Sequence, residues 1–96
     1  MPTYEWLTRF MRDFERLTPA QRAVFLSAVA KLVHDLQRGS PRAGLRVEAV
    51  HASEKVFEMT WAPDGRATFQ YGPEKRPGHV HIVWRRIGTH AIFDDP

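Results

Sequence analysis

"LVHDLQRGSPRAGLRVEAV", residues 32–50, is where the chain changes its period. Up to Leu36 the apolar residues recur every three or four positions. From Leu45 they alternate, with Leu45, Val47 and Ala49 on one side and Arg46, Glu48 and Val50 on the other. The first spacing lines one face of an α-helix and the second lines one face of a β-strand. Between them "GSPRAG" places Gly39 just past the last helical turn and Pro41 soon after, the usual signals that a helix has ended. A chain that switches once from helical to alternating period is expected to be α+β, with its helices and strands segregated.

Working toward the N-terminus, "LTPAQ" (17–21) starts the long helix. Thr18 suits the N-cap, Pro19 the first helical position, and Gln21 completes a capping box. Phe25, Ala28, Val29, Leu32 and Leu36 continue its apolar stripe. Before it, "TRFMRDFERL" (8–17) spaces Phe10, Phe14 and Leu17 for one face of a shorter helix, with Thr8 as the expected N-cap. "MPTYEWL" sets two aromatic residues, Tyr4 and Trp6, two apart and reads as a short first strand.

Working toward the C-terminus, three more segments alternate. "VFEMTW" turns Phe57, Met59 and Trp61 inward, "RATFQY" turns Ala67, Phe69 and Tyr71 inward, and "VHIVWR" turns Val80, Ile82 and Trp84 inward. "APDG" and "GPEKRPG" are turn and loop sequences between them, so these strands are expected to be antiparallel neighbours. The expected order is β-α-α-β-β-β-β, with an N-terminal helical hairpin packed on one face of an antiparallel sheet and the other face wet. One domain over 1–96 is expected, with residues 94–96 as a frayed tail.

Composition bounds the chemistry. The 96 residues are 43% hydrophobic and 26% charged, as in a globular protein. There are no cysteines, which excludes disulfides, thiolate metal sites and cysteine nucleophiles. Net charge is +3, which permits an anionic partner without requiring one. No signal peptide or membrane-length apolar run is visible, and a cytoplasmic protein is expected. No G-x-S-x-G elbow or phosphate-cradling glycine loop is present, which argues against a serine hydrolase and a P-loop NTPase.

Alternation puts Arg46, Glu48, Glu58, Thr60, Arg66, Thr68, Gln70, His81 and Arg85 on the outer face of the sheet. Outward residues are ordinarily polar because water is there. Here the types also form a chemical set. Arginines hold phosphates and stabilise charge developing on them, and a histidine exchanges protons near neutral pH. Together they suffice for metal-free RNA cleavage, or for binding a nucleic-acid backbone. His79 and His81 form an H-x-H pair, but zinc needs three or four ligands. A third would have to be His51, His90 or a carboxylate, and no metal or cofactor is expected. His34 reads as an ordinary helix residue and His51 as a turn residue.

Taken in order, "FMRDFERLTPAQRAVFLSAVAKLVHDLQRG", "GLRVEAV", "VFEMTWAPDGRATF" and "HIVWRRIGTHAIF" resemble the RelE/ParE superfamily of small toxins from bacterial toxin–antitoxin pairs. The resemblance spans nearly the whole chain and lies in the order of the pieces. It implies a compact α+β unit with a concave working face, an antitoxin partner, and one of two targets. RelE-like members cut mRNA on the ribosome without a metal; ParE-like members poison DNA gyrase; a third alternative is a detoxified protein-interaction module on the same fold. Arg66 in "DGRATF" matches the arginine that contacts the scissile phosphate. Arg46 sits where nucleases carry a basic second strand. Arg85 and Arg86 match a phosphate-binding position, and His90 in "IGTHAIF" matches the family's C-terminal ending, whose histidine or following tyrosine often matters in the nucleases. The resemblance thus implies Arg66 for the phosphate, His90 or His81 for proton transfer, and Arg46, Arg85 and Arg86 for RNA binding. The chain departs from the pattern at Glu48, at the extra Thr89 before His90, and at Phe93, where a tyrosine is frequent.

Overall fold

Thr18 makes the reciprocal capping box expected of it. Its hydroxyl accepts from the Gln21 amide at 3.1 Å and its own amide donates to Gln21 Oε1 at 2.8 Å. In the computed structural model, which describes residues 2–50 and 55–96, this cap opens helix α2, Pro19–Arg38. Gly39 closes it at φ 128°, a left-handed backbone that a side chain would resist. The shorter helix α1 spans Thr8–Glu15. Its N-cap is Leu7 and no side chain caps it, so Thr8 is the first helical residue rather than the cap. His51 lies outside the described residues.

The strands are β1 Thr3–Trp6, β2 Glu48–Ala49, β3 Phe57–Thr60, β4 Arg66–Gly72 and β5 His81–Gly88. They form one sheet in the order β1-β5-β4-β3-β2. β2 through β5 pair antiparallel, as their short connections require. The sheet as a whole is mixed, because β1 lies parallel to β5 at the edge. The two helices make that possible, since they carry the chain across the sheet from β1 at one edge to β2 at the other.

Both helices cover the same face. Phe10, Phe25, Ala28 and Leu32 meet Met59, Ala67, Phe69, Ile82, Trp84 and Ile87 in one buried cluster. The rings of Phe10, Phe25, Trp84 and Phe69 are linked by centroid separations of 5.8, 5.4 and 5.3 Å. Each such burial stabilises by about 1.5–3 kcal/mol before ring–ring geometry adds to it. Tyr71, expected inward, lies on this face by register but remains exposed beside Phe57.

Two departures from alternation matter for function. The expected strand from Leu45 is reduced to two residues, because Ala43–Leu45 form a 3-10 turn and Arg46 takes a left-handed conformation at φ 48°. That reversal removes Arg46 from the outer face. In β5, Phe69 opposes Trp84 while Thr68 opposes Arg86, so Arg85 is an extra, bulged residue. The bulge lets both Trp84 and Ile87 reach the core.

Candidate active site

The outer face carries Thr3, Glu5, His81, Val83, Arg85, Arg86, Gln70, Thr68, Arg66, Thr60, Glu58 and Glu48 by register. It is wet only in part. Thr68, His81, Val83 and Arg66 are all buried. The chain end folds back over one region of it. A side chain at Gly88 would meet Ile92 at 3.0 Å, and Arg85 donates to the Pro96 carbonyl at 3.2 Å. The last residues, expected to fray, are also held by Arg9 and Arg86, which donate to Asp95.

This arrangement sorts the arginines. Arg86 is turned toward α1, where Nε reaches Asp13 Oδ2 at 2.6 Å and Nη2 reaches Oδ1 at 3.3 Å. The Asp13 carboxylate raises the Arg86 pKa above its ordinary value. Arg85 is held between Gln70 Oε1, at 2.8 Å, and Pro96. Arg66 Nη1 donates to the carbonyls of Ala62, Pro63 and Gly65 at 3.3, 3.3 and 2.9 Å. Its Nε and Nη2 have no partner among the described residues. The turn thus holds the guanidinium through Nη1, in a side chain that is largely buried.

The histidines separate too. His81 is only 3% exposed. Its Nδ1 lies 2.7 Å from Thr3 Oγ1 and its Nε2 3.0 Å from Glu5 Oε1. That bond to His81 holds the Glu5 carboxyl below its ordinary pKa, with Lys75 adding a smaller pull. His81 sits opposite Gly72, at the far end of β4 from Arg66. His90, by contrast, has a side chain 60% exposed in the C-terminal 3-10 turn His90–Asp94, with Nδ1 3.2 Å from Asp64 Oδ1.

Arg66, His90 and Asp64 lie at the same end of the sheet. Arg66 is paired with Gly88 across β4 and β5. Asp64 stands two residues before Arg66, and His90 two residues after Gly88. In the sequence Asp64 reads as a turn former, and nothing local marks it as the partner of a histidine 26 positions away. A carboxylate on Nδ1 orients the ring and leaves Nε2 outward, the arrangement a proton-transferring histidine needs. At the opposite edge, Glu48 and Glu58 face each other directly, so β2 and β3 offer acid rather than base. Among the described residues no group of three or more His, Asp or Glu side chains converges as a metal site would require.

No family model matches the chain, and no curated protein matches it in sequence. Solved structures do match in three dimensions. A metal-bound toxin from Helicobacter pylori aligns at TM-score 0.66 and 22% identity over 95% of this chain and 97% of that one. The RelB–RelE antitoxin–toxin complex from Methanococcus jannaschii aligns at 0.64 and 12% identity, over 95% and 98%. The YoeB/ParE toxin from Agrobacterium tumefaciens aligns at 0.63 and 11% identity, over 92% and 98%. The chain has the RelE/ParE toxin fold. At these identities the likeness is one of fold, and it agrees with the order of elements read from the sequence. Within the RelE/ParE fold, the end of the sheet that gathers Arg66, Asp64 and His90 is the candidate active site. No helix among the described residues is long and apolar enough to cross a membrane.

Proposed function

We propose that this chain is the toxin of a toxin–antitoxin pair and acts as a metal-independent mRNA endoribonuclease at the ribosome. The observation that carries the proposal is that Arg66 and the His90–Asp64 pair share one end of the sheet on a RelE/ParE fold. In the proposed reaction the 2′-hydroxyl oxygen bonds to the adjacent phosphorus and gives its proton to His90 Nε2. The bond from phosphorus to the 5′-oxygen breaks, and that oxygen takes a proton from water. The products are a 2′,3′-cyclic phosphate and a 5′-hydroxyl end. Arg66, anchored by the turn carbonyls through Nη1, uses Nε and Nη2 on the non-bridging oxygens. His81 is a positioning residue in this reading, bound on both nitrogens. Arg85 and Arg86 shape the face more than they bind RNA. The antitoxin partner is supported by the antitoxin–toxin complex among the structural relatives.

A second reading has one observation in its favour. Arg85 and Arg86 are both engaged within the chain, which leaves fewer free cations on the outer face than a nuclease would use. That suits a ParE-like inhibitor of a protein target such as DNA gyrase. Induced expression with mapping of mRNA 5′ ends separates the two. The nuclease reading expects new ends with the wild type and none with Arg66→Ala. Slowed growth without new ends supports the inhibitor reading instead.

A further inference from the structure

We propose that the cleft between α2 and the β3–β4 turn is a second phosphate site, which holds the sugar–phosphate backbone of single-stranded RNA as it leaves Arg66. The proposal rests on the nuclease reading above. The cleft encloses about 740 Å³ and is lined by Lys31, Arg42, Arg46 and Arg66, with no acidic side chain among its described lining residues. Its walls also include the exposed Val24 and the edges of the buried Leu45 and Trp61.

Lys31 and Arg46 are the cations with charge to spare. Asp35 lies one helical turn from Lys31, where it would ordinarily pair with it. Both Asp35 oxygens are taken instead by Arg42, through Nε at 2.8 Å, Nη2 at 2.8 Å and the backbone amide at 2.9 Å. The side chains of Lys31 and Arg46 make no hydrogen bond or ion pair among the described residues. Arg46 also occupies the left-handed backbone at φ 48°, where glycine or asparagine fits with less strain. An acidic protein segment would meet the same cations, but Arg66 lines this cleft as well as the candidate active site. A strand whose phosphate sits on Arg66 therefore enters the cleft without a break.

The test is fluorescence anisotropy with labelled single-stranded RNA bearing 2′-O-methyl riboses, which cannot be cleaved, titrated across salt concentrations. Arg46→Gly removes the guanidinium while suiting the backbone, and Lys31→Gln removes the ammonium from an exposed helix position. The double variant is expected to bind roughly tenfold more weakly, with the magnitude of the log–log salt slope lowered by about 1.4 for two lost phosphate contacts. Arg38→Gln, at the exposed end of α2, is expected to leave both quantities near wild type. If the double variant matches wild type while wild type binds, the cleft assignment fails and the nuclease reading stands. An equal loss in Arg38→Gln also overturns it, because only net charge would then matter. Binding of polyglutamate more tightly than RNA assigns the cleft to an acidic protein segment. If wild type binds no RNA, this site falls, while the nuclease reading at the ribosome is decided separately by the mapping of mRNA 5′ ends.

Discussion

Arg86 and Asp13 form a forked ion pair that joins α1 to β5, with 2.6 Å between Nε and Oδ2. The same Oδ2 accepts the backbone amide of Ile87 at 3.2 Å. β1 stops pairing with β5 at Trp6 and Trp84. Beyond that point the edge of β5 would be left without a partner. Asp13 takes the place of a strand there, and Arg86 neutralises the charge this buries. An arginine that resembles a phosphate ligand in the sequence is thus built into the frame.

Asp13→Ala is therefore expected to destabilise the fold by about 3 kcal/mol, since it leaves the Arg86 charge and the Ile87 amide without their acceptor. Urea denaturation followed by tryptophan fluorescence measures it. A loss below about 0.5 kcal/mol, the size of an exposed pair, would show that the contact is not structural. Arg86→Ala is expected to lower stability in the same assay, whatever it does to RNA binding.

The Asp35–Arg42 pair predicts an acid dependence. Hydrogen bonds from the Arg42 side chain and amide lower the Asp35 pKa from 3.8 to about 2. A carboxyl whose pKa is lower in the folded state contributes stability above its unfolded pKa. It loses that contribution as pH falls through the folded value. The stability gap between wild type and Arg42→Ala should then be constant above about pH 4 and shrink steadily toward pH 2. Urea midpoints across that range test it, and a gap that stays flat to pH 2 would place the effect elsewhere.

Much of the fold could be read from residue spacing. The helix α2, its capping box and Gly39 needed no tertiary information, because propensity, cap and stripe agree over Pro19–Arg38. The antiparallel pairing of β2 to β5 followed from short turns. Three features were hidden for physical reasons. The left-handed Arg46 interrupts an alternating pattern that "LRVEAV" still spells out. The bulge at Arg85 adds a residue without changing hydrophobicity. The pairing of His90 with Asp64 and of Arg86 with Asp13 joins positions far apart in sequence. Of the residues first gathered on one face, Arg66 and His90 share an end of the sheet, Arg46 moves to the α2 cleft, and His81 is buried at the far end.

Gly65 shows how tightly that end is packed. A β-carbon there would stand 2.6 Å from Trp61 Cε2 and 2.7 Å from Cδ2. Trp61 is buried against Phe25, so its ring cannot simply swing away. Gly65→Ala is expected to cost about 1–3 kcal/mol as the ring or the turn shifts. Because the Gly65 and Ala62 carbonyls also hold Arg66, cleavage should fall more than stability alone explains. Comparing cleavage at a temperature where both proteins are fully folded isolates that part. Equal rates under those conditions would mean that the carbonyl cradle does not position Arg66.

The His90–Asp64 pair gives the sharpest test of mechanism. Thr89 caps the 3-10 turn by accepting the Ala91 amide at 3.3 Å, and the Phe93 ring meets His90 edge-on at 5.4 Å. With Asp64 on Nδ1, the imidazole is fixed from two sides while it stays exposed. If His90 moves the 2′-hydroxyl proton, His90→Gln should slow cleavage by about a hundredfold or more, as expected when a general base is lost. Asp64→Asn keeps a polar contact but loses the charge, so its effect should be smaller, about tenfold. Neither variant should weaken binding of 2′-O-methyl RNA, because neither residue is assigned to hold phosphate. Single-turnover cleavage beside anisotropy reads both quantities. If His90→Gln cuts at the wild-type rate, His90 is not the proton acceptor. If binding falls in step with cleavage, the pair belongs to recognition and the chemistry must be sought nearer Arg66.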